Sequence, residues 1–136
     1  MLEKEIHDIA STLLRLAGHK PRNEQSSRYG VCDILTTDCV WEVKRSIRSV
    51  KELACAAQQA LRYEYSWKRG SYGVISKNVV RLGDTELFQD FPKGLRLYDP
   101  FTGVERTSKG ETQLTDPYRK DLVTDIKYVD LAQEVI

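Results

Sequence analysis

The chain has no apolar run approaching the roughly 18 residues that a membrane-spanning helix needs, and its opening, MLEKEIHDIA, is too polar for a secretory signal. An intracellular, cytoplasmic protein with no membrane segment is expected. Cysteine is scarce. Cys32, Cys39 and Cys55 form an odd set without the paired spacing of a zinc site, which leaves reduced, mostly buried thiols with no assigned chemistry. Nor does one sign of charge dominate. With 21 basic against 20 acidic residues the net charge is +1, so the chain as a whole offers no attraction to a polyanion, and any nucleic-acid reading rests on where the charges sit. Internal repeats and low-complexity linkers are absent too. What is present, 136 residues of which 40% are hydrophobic and 30% charged, is the make-up of one compact domain.

Helical spacing opens the chain: Leu2, Ile6, Ile9, Leu13 and Leu16 recur at intervals of four and three, and Gly18 is placed to end the helix. Residues 21–30 are polar, contain Pro, Asn, Ser and Gly, and read as a loop. Residues 31–36 and 39–44 are rich in β-branched and aromatic side chains, and Thr37-Asp38 between them predicts a tight antiparallel hairpin. A long helix follows, from an N-cap at Ser49 with Glu52 as its capping-box partner, through LACAAQQALRY to about Trp67, closed by Gly70. Residues 72–76 predict a strand and residues 79–82 a second short extended piece or its continuation. Residues 94–99 and 104–107 flank the turn Asp99-Pro100-Phe101-Thr102-Gly103 as a further hairpin. Asp116-Pro117 then opens a last helix, along which Tyr118, Leu122, Ile126 and Val129 keep helical spacing. The order predicts an α/β fold, a central mixed sheet with helices against it, as one domain over 1–136 with a core of about 2–76 and a C-terminal extension of about 77–136.

Glu42-Val43-Lys44 lies in the second strand of the first hairpin, where alternation puts Glu42 and Lys44 on one face and Trp41 and Val43 on the other. Asp33, on the partner strand, is close enough across the ladder to join them. Two carboxylates and an ammonium at one end of a sheet suit magnesium or manganese, which take oxygen ligands from one or two carboxylates, water and phosphate. That chemistry serves phosphodiester hydrolysis, with Lys44 orienting or deprotonating the attacking water or binding the phosphate; beside two carboxylates a lysine is expected to stay charged, which favours orientation and charge stabilisation. An acid two positions before a lysine arises by chance about once or twice in such a chain, and the second copy here, Asp125-Ile126-Lys127, sits on the last helix, where i and i+2 do not face each other. The ordinary alternative for Glu42 and Lys44 is an exposed ion pair on a sheet face. Cations cluster nearby. Lys44, Arg45, Arg48 and Lys51 are followed one helix later by Arg62, Lys68 and Arg69, a pattern that also fits a merely solvated face.

A second signature follows on the long helix, where Gln59 and Tyr63 are one turn apart on one side. Together, Gly30-Val31-Cys32-Asp33, Glu42-Val43-Lys44 and Gln59 with Tyr63 resemble the GxxD, ExK and QxxxY motifs of the PD-(D/E)xK nuclease superfamily, especially its RecB-like and Holliday-junction-resolvase-like branches. The resemblance covers about residues 2–76, and Cys32 stands where the motif's proline is expected. It implies a restriction-endonuclease-like core, helix-strand-strand-strand-helix-strand, with Asp33 and Glu42 as metal ligands, Lys44 catalytic, and Gln59 and Tyr63 supporting the site or the DNA. Many relatives add a glutamate from the first helix. Glu3 and Glu5 flank opposite edges of its apolar stripe, Glu5 is chosen here, and His7 is a further candidate. The function implied is a magnesium-dependent DNA endonuclease, structure-specific, homing or restriction-type, acting as a homodimer, with Arg45, Arg48, Lys51 and Arg62 on the nucleic acid. The alternative is a non-catalytic nucleic-acid-binding or protein-interaction module on the same fold.

Overall fold

The computed structural model describes residues 1–84 and 90–120 of this chain. They run α1 (Glu3–Leu16), β1 (Arg22–Ser27), β2 (Gly30–Leu35), β3 (Cys39–Val43), α2 (Val50–Trp67), β4 (Ser71–Ile75), α3 (Val79–Leu82), β5 (Leu95–Asp99), β6 (Val104–Thr107) and β7 (Gly110–Gln113). The seven strands make one sheet in sequential order. Its centre, β3, β4 and β5, is parallel, and antiparallel pairs flank it on both sides. No helix among the described residues is long and apolar enough to cross a membrane.

Alternation along the central strands decides which helix covers which face. Trp41 and Val43 of β3, Ile75 of β4 and Tyr98 of β5 turn one way and pack on Ile6, Ala10 and Leu14 of α1. Val74 and Leu97 turn the other way, onto Leu53, Ala56 and Ala57 of α2 and Val79 and Val80 of α3. Each fully buried Leu, Ile or Val contributes roughly 1.5 to 3 kcal/mol on leaving water. Gly73 of β4 stands between Trp41 of β3 and Arg96 of β5 in the register. A Cβ there would overlap the Trp41 ring; without one, the Arg96 guanidinium lies 4.9 Å from that ring's centroid and reaches Glu105 and Asp38.

Gly18 and Ser49 cap α1 and α2 as the sequence reads them, whereas α2 closes at Lys68, at φ +49° and donating to Glu64, two residues before Gly70. At the end of α1, Gly18 at φ +92° donates its N–H to Arg15, and His19 donates to Leu14, the paired closure of a Schellman motif. At the start of α2 the Ser49 hydroxyl accepts from the Glu52 N–H at 3.1 Å, while the Glu52 carboxylate accepts from the Arg48 N–H at 2.9 Å.

An α/β chain with a mixed sheet and flanking helices is as expected, but with more strands. Residues 22–27, read as loop, are β1, and β7 was not foreseen; both are outer strands with mostly exposed residues, so neither carries the apolar alternation that marks a strand. Residues 79–82, read as extended, form one helical turn: Asn78 at φ +62° redirects the chain, and Val79 and Val80 are buried together. Asp116 to Arg119 are not helical, Lys120 is, and the last expected helix from residue 121 on, with Asp125-Ile126-Lys127, lies outside the described residues.

Candidate active site

β2 and β3 pair only at Ile34 with Trp41 and Leu35 with Val40. At Asp33 and Glu42 the ladder stops, and the Asp33 carboxylate accepts the Val43 N–H at 2.7 Å. On the other side of β2, the register with β1 skips Glu24, which lies opposite Asp33 and adopts φ +49°. The His7 ring donates from Nε2 to the Asp33 carbonyl oxygen at 2.8 Å. Asp33 is therefore held by its backbone and by one carboxylate oxygen at a point where the sheet has opened.

Glu42 and Lys44 share a face, as alternation requires, with 3.7 Å between Lys44 Nζ and Glu42 Oε1. Their exposures differ. Glu42 is 8% exposed, whereas the Lys44 side chain is 42% exposed and reaches solvent. The second Glu42 oxygen, Oε2, is buried and without a hydrogen-bond partner. Burial, then the charge of Asp33 and a hydrogen bond shared with its carboxyl, lifts the Glu42 carboxyl from 4.5 to about 8, with Lys44 opposing the rise and Glu3 adding to it. Two carboxylates thus confront each other with too little positive charge between them.

Glu42 and Lys44 open into a cavity of about 580 Å³ lined also by Ser46, Ile47, Lys51, Glu52, Cys55, Ala56 and Gln59. Asp33 lines a smaller one, about 320 Å³, on the α1 side with Glu3, His7, Asp8, Asn23 and Glu24 among its walls. The acid pair straddles the sheet edge between them. The Gln59 amide donates to the Tyr63 hydroxyl one turn on. Tyr63 is 6% exposed, packs with Cys32, Leu35 and Val40, and its ring fills the space beside Gly30, where a Cβ would come within 3.3 Å of it and φ is +120°. Gly30, Asp33, Glu42 and Gln59 are in this way connected through one aromatic ring and one sheet opening, although they come from three separate elements.

Among the described residues no three His, Cys, Asp or Glu side chains converge closely enough to hold a metal. The residues present nevertheless suit a hard divalent cation, because a buried carboxyl with one unpartnered oxygen, beside a second carboxylate that raises its pKa, is a donor arrangement such an ion satisfies. Glu3 and His7, one turn apart, sit on the Asp33 side, while Glu5, 200° around the helix from Glu3 at 100° per residue, is exposed and outside both cavity linings. Glu3, His7 and Asp8 line the Asp33 cavity, Glu3 adds to the rise of the Glu42 carboxyl, and the His7 Nε2 is engaged by the Asp33 carbonyl. Lys51 lines the larger cavity. Arg45 and Arg48 line a neighbouring one, and Arg62 is exposed on α2 outside them. Cys32 and Cys39 are buried, as expected, but Cys55 is exposed. Ser46 and Cys55 were not singled out in the sequence; only their positions, just after Lys44 and one turn before Gln59, could have marked them. Comparison with protein-family models, with curated proteins and with solved structures finds no match to this chain.

Proposed function

We propose that this chain is a metal-dependent DNA endonuclease of the PD-(D/E)xK kind, with Asp33, Glu42 and Lys44 as its active site. One observation carries the reading: the buried Glu42 carboxyl, with one oxygen unpartnered and its pKa raised by burial and by Asp33, has Lys44 Nζ 3.7 Å from its other oxygen at the mouth of a cavity. A pure binding module would have little use for a buried carboxylate beside a second one where a phosphate must come. The first six elements, α1, three strands, α2 and β4, also follow the order of a restriction-endonuclease-like core.

Asp33 and Glu42 would hold magnesium or manganese, which supplies charge neutralisation at the scissile phosphate and acidification of the attacking water. The chain's own groups do the rest. Val43 N–H and His7 fix Asp33 so that its free oxygen and the Glu42 oxygen stay in register. Lys44, solvent-reaching and charged, binds a non-bridging phosphate oxygen and stabilises the negative charge that grows during attack. Gln59, steadied by Tyr63, presents its amide to the same cavity and orients the strand or the water. Cutting both strands of a duplex asks for two such sites, hence a two-fold dimer.

Incubation of supercoiled, branched and single-stranded DNA with the protein in magnesium or manganese, then in chelator, is the test. Cleavage should require metal and vanish in Asp33→Ala, Glu42→Ala and Lys44→Ala while each variant stays folded. Cleavage that survives all three refutes this site, and salt-sensitive binding with no cleavage of any substrate favours the non-catalytic module.

A further inference from the structure

Beside the proposed active site lies a cavity of about 370 Å³ lined by Met1, Ile6, Arg45, Ser46, Arg48, Lys77 and Phe101. Ser46 also lines the cavity that holds Glu42 and Lys44, so the two share a wall. Three cations meet here from two loops: Arg45 and Arg48 follow β3, and Lys77 follows β4. Both loops leave the carboxyl ends of neighbouring parallel strands, the edge at which open α/β sheets bind ligands. No carboxylate side chain pairs with any of the three among the described residues.

The third cation is held in place. Lys77 Nζ lies 5.6 Å from the centroid of the Phe101 ring, and Tyr118 meets that ring edge-on at 5.5 Å. The loops carrying Lys77 and Phe101 are themselves tied by one buried carboxylate. Asp99, 3% exposed, accepts from the Asn78 N–H at 3.0 Å through one oxygen and from the Phe101 N–H at 2.9 Å through the other. A lysine positioned in this way before any ligand arrives pays less ordering cost on binding an anion.

We infer that Arg45, Arg48 and Lys77 form a phosphate subsite for the DNA backbone next to the scissile bond, with Phe101 as the positioning residue for Lys77. The identity of the ligand as DNA rests on the nuclease reading above; the phosphate-binding geometry does not. The strand would cross Ser46 from this subsite to Lys44.

The test is fluorescence anisotropy of a labelled single-stranded 12-mer against the full chain in chelator, where nothing is cut, from 50 to 200 mM salt. Each single-strand phosphate contact adds about −0.7 to the slope of log K against log salt. Arg48→Ala/Lys77→Ala should therefore flatten the slope by about 1.4 and weaken binding at 50 mM by at least tenfold. Phe101→Leu should weaken it by a fewfold, and Lys109→Ala, an exposed cation on the β6–β7 turn, should change nothing. Binding by the double variant at wild-type strength and slope, an equal loss in Lys109→Ala, or no binding by the wild type overturns the inference. Should the slope flatten as stated while no substrate is ever cleaved in magnesium or manganese, the subsite stands and the nuclease reading falls.

Discussion

Replacing Glu42 by glutamine removes a charge from a buried position while keeping the side chain's shape, and the sign of its effect on stability follows from the site. Burial and Asp33 lift the Glu42 carboxyl from 4.5 to about 8. The folded protein holds a proton across that interval that the unfolded chain releases, so stability falls as pH rises from about 4.5 to about 8. At roughly 1.4 kcal/mol per tenfold change in proton affinity, the ceiling on the loss is about 5 kcal/mol. Sharing of the proton with Asp33, together with relaxation of the site, brings the expected loss to about 2 to 3 kcal/mol. For a domain of this size Glu42→Gln should then melt on the order of 10 °C above the wild type at pH 8.5 in chelator, and the gap should close toward pH 4.5. Thermal unfolding followed by circular dichroism at pH 4.5, 6.5 and 8.5 measures it directly. Excess magnesium at pH 8.5 should raise the wild-type Tm by mass action and leave Glu42→Gln nearly unmoved. A wild type as stable as Glu42→Gln at pH 8.5 in chelator would mean that the buried carboxylate is at ease, and the case for a cation-seeking site would fail.

The remaining expectations are simpler. Lys44→Ala, at a side chain that reaches solvent, should leave the unfolding free energy within about 0.5 kcal/mol and lower the cleavage rate by at least roughly a hundredfold; a smaller loss in a single-turnover assay would remove Lys44 from the chemistry. Gly30→Ala meets both φ +120° and the Tyr63 ring and should cost about 1 to 3 kcal/mol in urea unfolding; an unshifted midpoint would contradict the Tyr63 packing. Gly73→Ala drives a methyl into Trp41 and should cost about 2 to 3 kcal/mol or more; near-wild-type stability would show that Trp41 and Arg96 do not meet across β4.

How far the sequence could be read depended on burial. α1, α2 and the hairpin of β2 and β3 announce themselves because each has an apolar face: Ile6, Ile9 and Leu13 mark one helix, Leu53, Ala56 and Tyr63 the other. β1 (RNEQSS) and β7 (GETQ) face solvent along the outer edges, and hydrogen bonding to a neighbour asks nothing of side-chain polarity, so composition hides them. Val79 and Val80 mislead because β-branched residues favour strands, yet burial of both on one side fits a single helical turn. At the site, alternation was enough to put Glu42 beside Lys44. It was not enough to choose among Glu3, Glu5 and His7, because that depends on which edge of α1 meets β2. The pairing of Lys77 with Phe101 joins loops 24 positions apart in the chain, and no local pattern encodes it.

Of the three thiols, Cys32 and Cys39 are sealed in the interior at 0% exposure, while Cys55 is open to solvent on the wall shared with Glu42 and Gln59. Maleimide chemistry will accordingly tag the unaltered protein at a single place, on the rim where substrate would enter. A small fluorophore there becomes a reporter of occupancy, and a bulky one becomes a plug, with no engineered residue required for either.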